Sequence, residues 1–187
     1  MRKMVMILAA IALLVAVSAS AQSVTPVRGD LGLGASVSTS NEQLLGFWNV
    51  TDSILIEPMV GFYNYNYADT AAGTTTNYSG TWFGVGADVF YVLHAFSNLT
   101  VQVGPGFLFT TEANKQNGNP DNFQFTYWAA SVNLQLLAMV NKNLGVFTTL
   151  GLQYISSDTK DTTANTETLL TEIQIINPSL GVVYYFK

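Results

Sequence analysis

The chain has 187 residues, of which 10% are charged, against about 25% in an average soluble domain. Its formal net charge is −5, which argues against the basic surface that nucleic-acid binding requires. It contains no cysteine, so a disulfide framework and a lipid-modified cysteine are both excluded. Beyond residue 20 there is no apolar run long enough for a membrane-spanning helix.

Residues 1–21 have the features of a cleaved signal peptide. Arg2 and Lys3 form a basic start, an uncharged apolar core follows, and residues 19–21 are small, as cleavage sites require. The alternative is a single membrane anchor formed by the same uncharged stretch. We predict cleavage, and therefore export.

Past a short periplasmic leader, residues 22–29, the barrel domain is predicted over residues 30–187. There the sequence alternates between apolar and small polar residues in eight segments, of which the second, near residues 43–50, is ambiguous. A period of two is typical of a strand with one apolar face. About 166 residues remain after cleavage, enough for eight spanning strands of about 9 to 11 residues with their connections.

The segments are separated by turns of two kinds. Three short polar clusters recur about every 45 residues, and three longer stretches rich in Thr, Asn, Gly and Asp lie between them. The short turns are residues 49–53, 95–98 and 140–143, and the predicted long loops are residues 68–78, 113–122 and 157–168. Short turns at one end and long loops at the other are typical of outer-membrane barrels, with the short turns in the periplasm.

The last segment is predicted to be the closing strand. Its even positions are apolar and its odd positions are mixed, and an aromatic residue, Phe186, stands before the final Lys187. The even positions are Ile176, Pro178, Leu180, Val182 and Tyr184. Pro58 and Pro178 lie inside predicted strands, where each lacks a ladder N–H, so both are expected to mark bulges.

The polar face carries mostly Gly, Ser, Asn and Gln, whereas a solvated surface would carry Lys, Glu and Arg. Small polar side chains suit the narrow interior of an eight-stranded barrel, so this face is predicted to line the lumen. A secreted soluble barrel is the alternative. The predicted polar and acidic lumen residues are Glu57, Asp88, Gln102, Asn133, Gln135 and Gln153. The aromatics predicted to lie at the membrane interfaces are Trp48, Tyr91, Trp128, Tyr154, Tyr184 and Phe186.

Over residues 30–186 the alternation, the turn asymmetry and the terminal Phe186 resemble the small eight-stranded outer-membrane β-barrel family that includes the OmpA transmembrane domain and OmpX-like proteins. The resemblance implies an all-β, antiparallel, up-and-down transmembrane barrel in the bacterial outer membrane, with both termini in the periplasm. It also implies insertion by machinery that reads the final Phe. Outer-membrane lipid and lipopolysaccharide are the implied partners, and the loops are candidates for contact with surface ligands.

Glu57 and Asp88 are expected to face each other, or to lie diagonally, on neighbouring strands. Barrels of this family commonly pair such acids with an inward Arg or Lys, and none is predicted here. Like charges in a confined site disfavour double ionisation, so at least one carboxyl group is predicted to be protonated or hydrated. This pair has two interpretations: the acids are structural residues, or they form part of a proton or cation path.

No catalytic residue, metal site or cofactor is predicted. The one histidine, His94, is expected at the lumen or the rim, because the sequence around it does not reproduce the His and Ser spacing of lipid A deacylase barrels. The predicted function is non-enzymatic: envelope integrity, or surface contact through the loops. A narrow channel is the main alternative, although inward Trp82, Phe90, Tyr127 and Phe147 are expected to block it, and a lipid A-modifying enzyme ranks third.

Overall fold

The computed structural model describes residues 25–38, 42–71, 74–96, 98–116, 119–161 and 166–186. The predicted signal peptide, residues 1–21, and the start of the leader lie outside the described residues. Eight antiparallel strands pair in chain order, and the last pairs with the first to close a barrel. They are β1 (Leu31–Val37), β2 (Glu42–Thr51), β3 (Ile54–Ala71), β4 (Thr74–Phe96), β5 (Leu99–Gln116), β6 (Asn119–Met139), β7 (Leu144–Asp161) and β8 (Thr166–Phe186). The predicted all-β, up-and-down barrel is confirmed.

No helix in the part of the chain that the structure describes is long and apolar enough to span a membrane.

The closing seam joins the two ends of the barrel sequence. Leu31, the first residue of β1, pairs with Phe186, the last residue of β8, and the ladder runs on to Val37 and Leu180. Along the seam, alternate side chains point to opposite faces because a strand has a period of two. Val182 is accordingly exposed on the outside. The predicted closing strand is confirmed over this part of β8.

Strand β2, whose register the sequence left open, places its larger apolar residues on both faces. Leu44 and Trp48 are exposed on the outside, whereas Leu45 and Phe47 are buried inside the barrel. Both faces of this strand are therefore apolar, which explains why its alternation is ambiguous.

The three predicted long loops are wrong, because the strands continue through them. Residues 68–78, 113–122 and 157–168 belong, where they are described, to paired strands that we call the hairpin arms. In the first arm the register stays regular as far as the pair Ala71 and Thr74. These arms are rich in Thr and Asn and carry no apolar face, so the sequence lacks the alternation that marks a strand. Backbone pairing across a hairpin does not require such a face.

The barrel wall is lower on one side, where the β1–β2 hairpin is short. β1 ends at Val37 opposite Leu180, and β2 begins at Glu42 opposite Phe62. β3 and β8 continue beyond this level, and among the described residues no strand of the first hairpin lies between them there. Beyond this level the barrel is consequently a six-stranded sheet, β3 to β8, with free edges on β3 and β8.

The two strand prolines behave differently. The predicted bulge at Pro58 is wrong: the β3–β4 register is continuous through it. The β2–β3 register is also the same on both sides of it. Pro58 faces Gly46, whose missing Cβ would lie 3.0 Å from the proline ring, so the ring fits beside β2 without an extra residue.

The bulge at Pro178 is confirmed. Thr149 pairs with Ser179 but Gly151 pairs with Ile176, so two residues of β8 oppose a single residue of β7. An extra residue reverses which positions face outward. Ahead of the bulge the odd positions Ile173 and Ile175 are exposed. The predicted even-numbered outer face therefore stops at the bulge, and the side chain of Ile176 lies outside the described side chains.

Exposed apolar side chains form a continuous outer belt around the barrel. The members on three strands of this outer belt are Ile54, Val60, Phe62, Phe83, Val85, Val89, Tyr91, Leu93, Trp128 and Val132. On β3 it extends from Ile54 to Phe62, about 20 Å along the barrel axis after allowing for strand tilt. Two residues beyond Phe62 and Phe83 the outer face turns polar, and Thr81 donates a hydrogen bond of 2.8 Å to Asn64.

Candidate functional site: the acidic lumen cavity

The half of the lumen nearest the start of β1 and the end of β8 is filled by a cluster that we call the aromatic plug. It consists of Phe47, Phe90, Phe147 and Tyr185, all at most 1% exposed. The ring centroid of Phe47 lies 5.3 Å from that of Phe147 and 6.0 Å from that of Tyr185, in edge-to-face arrangements. Six apolar side chains complete the packing: Leu45, Leu55, Met59, Leu137, Met139 and Val183.

A cavity of about 400 Å³ adjoins the aromatic plug. Phe147 belongs to both the plug and the cavity wall, and Glu57 and Asp88 line the cavity. The short β1–β2 hairpin contributes Ser36 to the wall, and the free edge of β8 contributes Glu172 and Gln174. The cavity thus combines two buried acids with a wall formed partly at the low side of the barrel.

A chain of amide side chains holds Glu57. Gln135 Nε2 donates to Glu57 Oε2 over 2.9 Å and to Thr149 Oγ1 over 3.0 Å. Gln102 Nε2 in turn donates to the side-chain oxygen of Gln135. Since β3 and β6 are not neighbouring strands, this chain reaches across the lumen and connects two strands that are not paired with each other.

Asp88 has a separate amide partner. Asn133 Nδ2 donates to Asp88 Oδ1 over 2.8 Å and to Ser131 Oγ over 3.0 Å. Gln153, the sixth predicted lumen residue, lines the same cavity. The structure therefore brings all six residues into one lumen, and five of them into two hydrogen-bonded groups.

The two acids are direct cross-strand neighbours, because Glu57 pairs with Asp88 in the β3–β4 ladder. They are only 2% and 4% exposed, respectively. Like charges directly opposite one another destabilise a sheet, and none of the described residues that line the cavity is Lys, Arg or His. That at least one of the two carboxyl groups is protonated or hydrated stays a prediction.

The absence of a side chain at Gly106 makes room for Asp88. A Cβ atom at this position would lie 1.8 Å from Asp88 Oδ1 and 2.5 Å from Ser131 Oγ. We expect Gly106→Ala to displace the carboxyl group from Asn133 and to lower the free energy of unfolding by about 1–3 kcal/mol, as overpacking usually does. Urea titration of the barrel in lipid vesicles measures this loss.

A double-mutant cycle with Asp88→Ala provides the control. Removing the carboxyl group first should make Gly106→Ala less costly, because the closest clash has gone. Purely additive losses would show that Gly106 does not shape the position of Asp88.

The six predicted interface aromatics all lie on the outer face. Each is between 40% and 56% exposed. Two pairs are in ring contact: Trp128 with Tyr154 at 5.5 Å and Tyr184 with Phe186 at 5.6 Å. This placement suits a membrane interface, and their role there stays a prediction.

Sequence reasoning missed several lumen residues. Thr149 accepts a hydrogen bond from Gln135, and Glu172 and Gln174 line the cavity because the bulge turns even positions inward. Only the proline at 178 signalled that shift. The side chain of His94 lies outside the described side chains, so its predicted place at the lumen or rim stays a prediction.

No protein-family model matches the chain, and no curated protein sequence matches it. Its fold is similar to that of a major outer membrane protein from Thermus thermophilus, with 13% identity, a TM-score of 0.57, and coverage of 84% of this chain and 99% of that one. The outer membrane protein OprG from Pseudomonas aeruginosa gives 12% identity, a TM-score of 0.56, and coverage of 86% and 97%. The N-terminal β-barrel domain of OprF from the same organism gives 14% identity, a TM-score of 0.50, and coverage of 86% of this chain and 100% of that one. The chain therefore has the fold of the small outer-membrane β-barrel proteins, as its resemblance to the OmpA transmembrane domain and OmpX-like proteins implied.

Proposed function

We propose that this chain is a non-enzymatic protein of the bacterial outer membrane that supports envelope integrity or makes surface contacts, and that it is not an open channel. The observation that carries the proposal is the combination of the outer belt with the aromatic plug. An apolar belt flanked by aromatics suits a bilayer, and the aromatic plug, which fills one half of the lumen, leaves no continuous water route.

In this proposal the chain termini and short turns face the periplasm, and the hairpin arms extend into the medium. The arms carry exposed polar side chains, including a Lys160–Glu167 ion pair of 3.4 Å. Such arms are suited to contacts with lipopolysaccharide or with surface ligands. Phe186, which closes the barrel against Leu31, is the residue that we propose the insertion machinery reads.

The channel alternative predicts a measurable current, whereas our proposal predicts none. We expect the wild-type barrel to give no stable conductance steps in planar bilayers, because the plug side chains are buried and in mutual contact. Folding of the same sample is checked by the change in gel mobility on boiling in detergent.

Regular conductance steps from a folded, purified sample would contradict the proposal and favour a narrow channel. The enzyme alternative is tested separately by mass spectrometry of lipid A from cells with and without the protein. A modified lipid A that depends on the protein would contradict the non-enzymatic assignment.

A further inference from the structure

A gap interrupts the barrel wall at the level of the outer belt. The pairing of β1 with β8 ends at Leu180, and the pairing of β2 with β3 begins at Phe62. Phe62 is itself a 53% exposed member of the outer belt. We call the gap between β3 and β8 beyond the first hairpin the notch. Its lower border therefore lies within the outer belt.

The outer belt continues along β8 past the end of β1. Ile173 and Ile175 are 78% and 74% exposed, more than any other large apolar side chain in the described part of the chain. Ile173 pairs with Tyr154, one of the predicted interface aromatics, and Ile175 pairs with Leu152, which is 58% exposed. The free edge of β8 beside the notch consequently lies at the same depth as the outer belt.

A free sheet edge is unfavourable at this depth. From Ser179 to Ile173 the backbone of β8 has no paired strand on its β1 side among the described residues. In the hydrocarbon region such backbone is tolerated only where it is covered by protein or lines a water-filled cavity. The notch therefore requires polar groups next to the β8 edge.

The lumen cavity reaches the notch from the inside. Its wall includes Ser36 and Gln43 from the first hairpin, and Gln174 and Ser179 from the free edge of β8. Ser36 Oγ and Gln43 Oε1 lie 3.4 Å apart. Hydroxyl and amide side chains can both donate and accept hydrogen bonds. The notch is thus apolar on its outer side and polar on its inner side.

We propose that the notch binds a single-chain amphiphile from the surrounding bilayer, with an uncharged, hydroxyl-bearing head group in the lumen cavity and an alkyl chain on the outer belt. The chain would lie against Ile173, Ile175 and Phe62. The head group would bond with the side chains of Gln43 and Gln174. This inference rests on the proposed position of the barrel in the outer membrane.

The charges of the cavity favour an uncharged head group over an anionic one. Glu57, Asp88 and Glu172 line the cavity, and none of its described lining residues is Lys, Arg or His. A carboxylate, sulfonate or phosphate would therefore enter without a counter-charge, which is costly in a partly buried site. Hydroxyl groups can donate to the acids and accept from the amides.

The aromatic plug makes the notch a binding site with no exit towards the periplasm. Phe147 belongs to both the plug and the cavity wall, and it is 1% exposed. The cavity volume of about 400 Å³ is many times the roughly 30 Å³ that one water molecule takes up in the liquid. A small head group such as glycerol therefore fits, and it is held instead of conducted.

The test is side-chain amide NMR of the full barrel in phospholipid nanodiscs, titrated with 1-dodecanoylglycerol. We expect the signals of Gln43 and Gln174 to shift and to saturate. Glycerol is the same head without a chain, and at equal concentration it should give no saturable shift. Dodecanesulfonate has a chain of the same length and an anionic head, and it should bind at least about tenfold more weakly.

A pair of variants locates the site. Gln174→Leu should weaken the binding of 1-dodecanoylglycerol about three- to tenfold, the effect of one lost hydrogen bond. The matched control is Thr168→Leu, which places the same apolar side chain on β8 at an exposed position that does not line the cavity. Binding to this control should equal binding to the wild type.

Several results would overturn the proposal. They are the absence of a saturable shift in a barrel that is folded by its gel mobility, equal responses to glycerol, equal binding of dodecanesulfonate, and equal losses or no loss in the two variants. The position of the barrel in the membrane is tested separately by Val132→Arg. A failure of binding alone would therefore leave the proposed location standing.

Discussion

Phe147→Ala is expected to lower the free energy of unfolding by about 3–5 kcal/mol, the usual cost of removing a buried ring. Phe147 is 1% exposed and packs edge-to-face on Phe47. On its other side it occupies the space that the missing side chain of Gly181 leaves: a Cβ atom there would lie 2.2 Å from the ring. Neighbouring strands cannot collapse into the gap, because the closed ladder fixes their spacing. Urea titration of folding into lipid vesicles measures the change.

Phe147→Leu is the matched control. It keeps most of the volume and all of the apolar character, so we expect a loss below about 1.5 kcal/mol. If the Ala variant lost no more free energy of unfolding than the Leu variant, the half of the lumen that holds the aromatic plug would not be closely packed. The inference that the barrel is blocked there would then lose its basis.

The second large effect concerns the outer belt. We expect Val132→Arg to weaken folding into bilayers by about 2–4 kcal/mol, the cost of a basic side chain near the bilayer midplane. Val132 is 60% exposed on the outer face of β6, and it lies inside the apolar belt. In a soluble barrel the same change would place an arginine on a wet surface, where substitutions usually cost less than about 0.5 kcal/mol.

Thr81→Arg gives the comparison for Val132→Arg. Thr81 is also exposed on the outer face, but it lies beyond Phe83, where the surface is polar. The cost should fall to about 0–1 kcal/mol there, since it decreases towards the interface. Equal costs at the two positions would contradict a bilayer around the outer belt, and with it the proposed location.

These expectations depend on features that the sequence reveals to different degrees. Where one face of a strand meets lipid and the other meets the lumen, the two faces require different residue types. The sequence therefore alternates with a period of two. The outer positions around Val85 and Val132 could therefore be predicted. The hairpin arms have the same surroundings on both faces, so nothing in residues 68–78 distinguishes a paired strand from a loop.

Register is the second feature that alternation cannot supply. A period-two pattern assumes an uninterrupted strand, and the bulge at Pro178 moves Ile173 and Ile175 to the outside. A bulge was expected at Pro58 for the same reason, but none is present, because Gly46 opposite it leaves space for the ring. Whether a proline displaces the register depends on its cross-strand neighbour, which only the paired structure identifies.

The sequence by itself determined that eight strands form, which face is apolar, and that Glu57 and Asp88 belong to adjoining strands, because these properties are local along the chain. Only the tertiary structure decided that Gln135, 78 residues further on, donates to Glu57 across the lumen, and that Asn133 keeps a buried oxygen free beside Asp88. The physical reason is closure: the first strand meets the last, so strands distant in sequence face one another at a spacing that no local pattern encodes.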